Sequence, residues 1–305
     1  MANPALEYPA LAAVAAVVRE GSFERAASVL GVTPSAVSQR VKSLEERLGA
    51  VLVVRGQPCK ATATGARLCA HFAQVRLLES DMIAILPKLS TEPSAPGLTI
   101  SVAVNGDSLS TWFPSAAASF TRHSDALLDL KLAGEDQTAA KLRSGEVLAA
   151  VTADPVPAPG CRTVCLGALR YVAVAEPDLH RRYFPDGVSE RSLASAPMLR
   201  TDRDDALQTR WASEILSVAH LPPTHWVPST QGFIDLLLAG LGWGMVPHLL
   251  AERHIQNGAL IALQPTRVLD VKLYWQYSRL FARALAELNR AVISAAKTAL
   301  ISCDA

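Results

Sequence analysis

Between Gly21 and Gly49 the chain reads GSFERAASVLGVTPSAVSQRVKSLEERLG, and this stretch limits the fold more than any other. Two helical periodicities meet across Gly31-Val32-Thr33-Pro34. Ser22 is placed to N-cap the first helix, and Phe23, Ala26, Ala27 and Leu30 form its inner face. Gly31 stops it, since glycine tolerates positive φ. Thr33 caps the next helix, and Pro34 sits in a first turn where a missing N–H costs nothing. Val37, Val41, Leu44 and Leu48 are its buried stripe, and the small Ala26-Ala27 pair allows close helix approach. Two short helices joined by a tight turn make a helix-turn-helix.

The outer face of the second helix is Pro34, Ser35, Ser38, Gln39 and Lys42, with Arg40 alongside. These groups suit base edges or phosphates in a major groove. Thr33, at the helix start, can offer hydroxyl and backbone N–H to a phosphate. Any small helical bundle has polar outer faces, so charge has to discriminate. Met1 to Phe72 holds eight basic and five acidic residues, several bases lying in this helix and in the segment around Arg55. The overall charge is +1 and says nothing by itself, but the local excess suits double-stranded DNA as partner.

Around this unit the sequence predicts a helix through Leu11, Val14, Ala15 and Val18. A strand at Val51–Val54 and the turn Arg55-Gly56-Gln57-Pro58 suit a small wing. A long helix runs from Thr62 or Thr64 to about Leu86, carrying Leu68, Phe72, Val75, Leu78 and Met82. Thr91 to Gly97 (TEPSAPG) reads as a linker. Strands are then expected at Leu98–Val104, Leu127–Leu132, Leu148–Thr152, Tyr171–Ala175, Met198–Arg200 and Leu273–Tyr277. Helices are expected at Ser110–Phe120, Gln137–Ser144, Phe233–Ala239 and Arg279–Leu300. The alternation implies a mainly parallel sheet covered on both faces.

The order Gly21-Ser22-Phe23, Ala26-Ala27, Leu30, Thr33-Pro34-Ser35-Ala36-Val37-Ser38-Gln39-Arg40-Val41, Leu44-Glu45, Leu48-Gly49, Leu52, Arg55 closely resembles the N-terminal domain of LysR-type transcriptional regulators. Thr62-x-x-Gly65 resembles the start of that family's linker helix. Arg40-Val41-Lys42 departs from the basic pattern of many members. The resemblance spans essentially the whole chain and implies an α+β multi-domain protein. A winged helix-turn-helix (1–63) is followed by a linker and dimerisation helix (64–90), a hinge (91–97) and a periplasmic-binding-protein-like α/β effector domain (98–305). Lobe I would span about 98–165 and 266–305, and lobe II about 166–265. A homodimer or homotetramer, and contact with RNA polymerase, are further implications. DNA-contacting positions would be Thr33, Pro34, Ser35, Ser38, Gln39, Arg40, Lys42 and Arg55.

In the second domain, Asn105-Gly106-Asp107-Ser108-Leu109-Ser110-Thr111 follows a strand and opens a helix. That is a place for a ligand carboxylate, with Ser108 and Thr111 as hydroxyl donors. Asp107 there would repel a bare anion, so the ligand should also be cationic. Glu135, Asp136, Asp202, Asp204 and Asp205 sit at other strand-to-helix junctions; singly, each reads as a solvated loop or a cap. The stretches N-x-D-S-L-x-T-W, Leu142 to Val151, Tyr183-Phe184-Pro185-x-Gly187, Gly240 to Pro247 and Tyr274-Trp275 resemble the ArgP/LysG branch, which senses lysine and arginine and controls amino-acid export. That resemblance puts the effector near Asp107, Ser108, Thr111, Glu135, Asp136, Thr152, Asp205 and Thr230. Gln231 replaces an acid frequent in the branch. A LysR-type regulator of another small molecule, or a nucleoid or replication-origin binding protein, are the alternatives.

Other chemistry finds little support. Gly240-x-Gly242-x-Gly244 lacks the strand-then-helix context of a nucleotide loop and reads as a packing turn. His71, His180, His220, His225 and His248 show no ligand spacing, and no nucleophile–base set stands out, so neither an enzyme nor a metal or other cofactor is expected. The N-terminus shows no leader pattern, and the five cysteines are scattered. These point to a cytoplasmic, nucleoid-associated protein with free thiols and no membrane partner.

Overall fold

The computed structural model describes residues 6–85, 98–213 and 222–302. The N-terminal unit is built from α1 (Tyr8–Glu20), α2 (Phe23–Leu30), α3 (Pro34–Leu48), β1 (Val53–Val54), β2 (Lys60–Ala61) and α4 (Ala63–Ile85). Leu11, Val14, Val17, Ala26, Ala27, Val37, Val41, Leu44 and Leu52 are its core. The expected caps are present. Ser22 Oγ accepts from the Glu24 and Arg25 N–H groups, and Thr33 Oγ1 from Ala36 N–H. Gly31 closes α2 at φ 65°. The antiparallel β1–β2 pair forms the wing. Glu45 Oε1 accepts from Leu52 and Val53 N–H at 2.7 and 3.2 Å, tying the wing to α3.

The Thr62-x-x-Gly65 motif has a packing reason. Thr62 donates its hydroxyl to Val51 C=O at 2.8 Å and accepts from Gly65 N–H at 3.1 Å. A Cβ at Gly65 would lie 2.0 Å from Leu52 O, so only glycine lets α4 start against the wing. The linker helix then serves two neighbours rather than one continuous stripe. Phe72 packs on Tyr8, ring centroids 5.0 Å apart, and the Tyr8 hydroxyl donates to Glu79 at 2.7 Å. Leu77 instead enters the core of the second domain, and Gln74 Nε2 donates to Gly145 C=O at 3.1 Å. Leu78, expected in the stripe, is exposed. The end of the expected helix at Leu86 and the linker at 91–97 lie outside the described residues.

The second domain runs β3 (Thr99–Val104), α5 (Gly106–Ser110), α6 (Phe113–Thr121), β4 (Leu127–Leu132), α7 (Glu135–Ser144), β5 (Ala149–Thr152), β6 (Cys161–Ala175), α8 (Pro177–Tyr183), α9 (Glu190–Ser195) and β7 (Met198–Arg200). It continues with α10 (Leu207–Ser213), β8 (Thr224–Trp226), α11 (Thr230–Leu238), β9 (Gly244–Pro247), α12 (His248–Gln256), β10 (Ile261–Ala262), β11 (Leu269–Ser278) and α13 (Ala286–Ala299). The expected helix Ser110–Phe120 is two helices, α5 and α6, parted at Thr111-Trp112, where Pro114 begins a new first turn.

The expectation of a mainly parallel sheet is corrected. β3 pairs parallel with β4 and β5, and β7 parallel with β8. The strands joining the lobes are antiparallel. β6 and β11 pair from Cys161–Ser278 to Tyr171–Leu269, and β9 and β10 add antiparallel to β6. A chain that passes from one lobe to the other and returns must cross twice in opposite directions, so the connecting strands oppose each other. Their ladder breaks at Leu273/Tyr274, opposite Gly167 with φ 132°. There the chain end returns and Ile301 bridges Ala168. Cys165, beside this return, is disulfide-bonded, which corrects the expectation of free thiols; Cys59, Cys69 and Cys161 are free.

One core holds Trp112, Phe113, Phe120, Trp211, Trp243 and Trp275, and a second lies around Val172, Leu199, Phe233, Leu237 and Val246. The Gly240–Gly244 segment is a packing turn. A Cβ at Gly242 would meet Pro197 O at 2.6 Å, and one at Gly244 the Phe233 ring at 2.7 Å. Among the described residues no helix is long and apolar enough to cross a membrane.

Candidate DNA-binding and effector sites

α3 buries Val37, Val41 and Leu44 and turns the intervening residues outward. Thr33, Pro34, Ser35, Gln39 and Lys42 are exposed, and Ser38 and Arg40 are half-buried. The wing supplies Arg55, whose guanidinium stacks over the Phe23 ring at 5.1 Å and lies 3.5 Å from Ser38 Oγ. Strand, helix and loop thus bring Arg55 and Ser38 together across 17 residues of sequence. Arg40 and Gln39 line a hollow that Glu7, on the flank of α1, closes from the other side. Lys42 lies 3.6 Å from Glu46, with both side chains in solvent, so the pair holds Lys42 only weakly. Most of the polar groups keep free donors and acceptors for a duplex; the Thr33 hydroxyl is committed to its cap. Gln39→Ala is expected to weaken a specific duplex by roughly 1–3 kcal/mol while leaving random DNA nearly unaffected. Equal loss on both, in fluorescence anisotropy at fixed salt, removes Gln39 from base reading.

The parallel strands β4, β3 and β5 end on one edge of the sheet. They deliver Glu135 and Asp136 at the start of α7, Asp107 in α5 and Thr152 to that edge. β7 and β8 are parallel too, so the Asp202–Asp205 loop and Thr230 share an edge of the other lobe. Ligands in open α/β sheets bind beyond such carboxyl ends. Asp107 is the residue on which the two lobes converge. Thr230 Oγ1 donates to its Oδ1 at 3.2 Å, and the Tyr171 hydroxyl, from β6, donates to its Oδ2 at 2.7 Å. The approach is close: a Cβ at Gly106 would be 2.9 Å from Thr230 Oγ1. Burial pushes the Asp107 carboxyl above the usual range; the Tyr171 and Thr230 hydrogen bonds pull against this, and Asp205 adds to the rise.

The other expected residues are placed less favourably. Thr111 donates its hydroxyl to the Asp107 backbone C=O at 2.6 Å, so it serves the turn rather than a ligand. Ser108 is fully buried, with no partner for its Oγ among the described residues. Asn105 Oδ1 already takes the Ser108 N–H at 2.7 Å, and α5 is a single short turn; the expected carboxylate seat there is largely occupied by the protein itself. Thr152 is buried and accepts from Asp154 N–H. Asp205 accepts from Thr201 and Leu207 N–H, and Asp202 from Asp204 and Asp205 N–H, so both organise their own loop. Tyr171 was missed by sequence reasoning. It opens the expected strand Tyr171–Ala175, but nothing local marks its hydroxyl, whose partner lies 64 residues away.

A winged helix-turn-helix joined by a helix to a two-lobed α/β domain, with polar residues meeting between the lobes, defines a ligand-responsive DNA-binding regulator. Residues 9–66 match the bacterial regulatory helix-turn-helix protein, lysR family, and residues 94–297 the LysR substrate binding domain. The chain belongs to the LysR family. It is 43% identical over 296 residues to the HTH-type transcriptional regulator LysG of Mycobacterium tuberculosis, covering 97% of this chain and 95% of that one. It is 42% identical over 300 residues to ArgP of Pseudomonas fluorescens, covering 98% and 99%. Among solved structures, ArgP from Mycobacterium tuberculosis has 42% identity and a TM-score of 0.74, covering 98% of this chain and all of that one. Full-length LysG from Corynebacterium glutamicum with bound effector Arg has 38% identity and a TM-score of 0.66, covering 97% and 100%. The protein is a DNA-binding transcriptional regulator of the ArgP/LysG type, not an enzyme.

Proposed function

We propose that this regulator binds a basic amino acid, lysine or arginine, between its lobes and in response activates an amino-acid exporter gene. The observation that carries the reading is the half-buried Asp107 carboxylate where both lobes meet. Its two hydroxyl partners are neutral, and desolvation and Asp205 make the charge costly to keep; a cationic ligand relieves that cost. The arginine bound in the Corynebacterium glutamicum LysG structure supports the same chemistry. Two winged domains of a homodimer or tetramer would read the two halves of a partly symmetric operator and present it to RNA polymerase. The ligand shifts the balance between arrangements of these domains by its differential affinity for them. Thr230 and Asp205 stand on the opposite lobe from Asp107, so a ligand seated among them senses the distance between lobes.

Calorimetry of the full chain with arginine, lysine and their neutral analogues citrulline and norleucine tests the effector. Heat from the basic pair alone is expected; heat from none of the four ends the proposal. A reporter driven by a promoter that the purified protein binds tests the activation step, and expression unchanged by lysine and arginine ends that part.

A further inference from the structure

We infer that Tyr171 is the positioning residue that makes the effector site selective for a cation over its neutral isostere. The inference rests on the proposed binding of a basic amino acid at Asp107. Tyr171 belongs to β6, one of the two strands that link the lobes, and lies four residues beyond the ladder break at Gly167. Its ring is buried, and its hydroxyl reaches Asp107 Oδ2 at 2.7 Å. Thr230 reaches the other oxygen at 3.2 Å from α11. Two hydroxyl donors from two elements therefore fix both oxygens of one carboxylate. This orients the group and leaves its remaining lone pairs for an incoming N–H.

The two hydrogen bonds also favour the charged form of Asp107, against burial and against Asp205 on the loop after β7, the charged group among the described residues that bears on it. A carboxylate kept ionised attracts an ammonium or guanidinium far more than a neutral urea of the same shape. Without the tyrosine hydroxyl, burial wins more easily, the carboxyl holds its proton to higher pH, and the cation loses its advantage. A residue serving only to fill the core would leave that preference and its pH dependence alone.

The test compares the full-length wild type with Tyr171→Phe, which keeps the buried ring, and Thr230→Val, which keeps the shape at the second oxygen. Arginine and citrulline are titrated by calorimetry between pH 5 and 9. In Tyr171→Phe, arginine affinity at neutral pH is expected to fall about tenfold, as for a lost hydrogen bond to a charged group. Citrulline affinity should stay within about twofold on the same scale. The midpoint of arginine binding should move to higher pH, and Thr230→Val should move it the same way by less, in line with its longer hydrogen bond. A wild type that prefers arginine, beside a Tyr171→Phe variant with unchanged preference and midpoint, overturns this inference alone. Equal losses for both ligands overturn it as well. A wild type that binds neither ligand overturns the effector reading and this inference together.

Discussion

Gly65→Ala is expected to lower the stability of the winged domain by about 3 kcal/mol, the upper end for forcing extra atoms into a packed site. The added Cβ would stand 2.0 Å from Leu52 O and 2.9 Å from its carbonyl carbon. Both are backbone atoms, so no side chain can swing away to make room. Leu52 itself cannot give easily. It is fully buried, its N–H is held by Glu45 Oε1, and its C=O accepts from Thr62 N–H at 3.0 Å. Displacing it disturbs wing, recognition helix and linker helix at once, so operator binding should fall with the melting temperature. Gly56→Ala is the control. It has no positive φ, and its new Cβ would meet nothing closer than Pro58 O at 3.4 Å. Its effect should stay within about 0.5 kcal/mol, as for ordinary surface changes. Thermal unfolding of both variants decides the matter: a Gly65→Ala domain as stable as the control contradicts the close approach.

Asp107→Asn is expected to abolish the preference for arginine while leaving the fold intact. Removing one partner of a buried, hydrogen-bonded charge pair costs about 2–5 kcal/mol, or roughly thirty to several thousandfold in affinity. Its effect on stability has the opposite sign. Burial raises the folded-state pKa of Asp107 above its unfolded value. The favourable contribution of the protonated form is therefore present at low pH and is lost as pH rises through the folded-state pKa. The asparagine carries no charge at any pH. Measured against the wild type, Asp107→Asn should gain stability as the pH rises above the ordinary carboxylate range and through the folded-state pKa. Melting curves across that range, with arginine titrations on the same samples, separate the two effects. A variant that binds arginine like the wild type removes Asp107 from the site.

The winged domain was legible residue by residue because its determinants are local. Capping by Ser22 and Thr33, the stop at Gly31 and the Val37–Val41–Leu44 stripe act within a few residues of one another. The effector domain was legible only as strands and helices in order. The first ten residues of β6, CRTVCLGALR, mix polar and apolar types and escaped the strand reading. They pair with β11 along one side and on the other, among the described residues, meet only the Ala168–Ile301 bridge, while β9 and β10 join β6 further on, from Tyr171 to Ala175. Thr111 and Ser108 have the right chemistry for a ligand, but one hydroxyl is spent on the backbone and the other is sealed in the core. Short-range pattern cannot report where a side chain's own hydrogen bond goes.

By itself the sequence determined the helix-turn-helix, its capping residues and the outward row from Thr33 to Lys42. Each follows from backbone preferences and side-chain spacing over one or two turns. Only the tertiary structure decided which carboxylate lies where the lobes meet, which hydroxyls hold it, and that the lobes are joined by opposed strands. Those outcomes depend on parallel strands bringing distant loops to one edge and on two chain crossings setting Tyr171 and Thr230 against Asp107. Such pairings are set by the packing of the whole domain and leave no mark in the residues on either side.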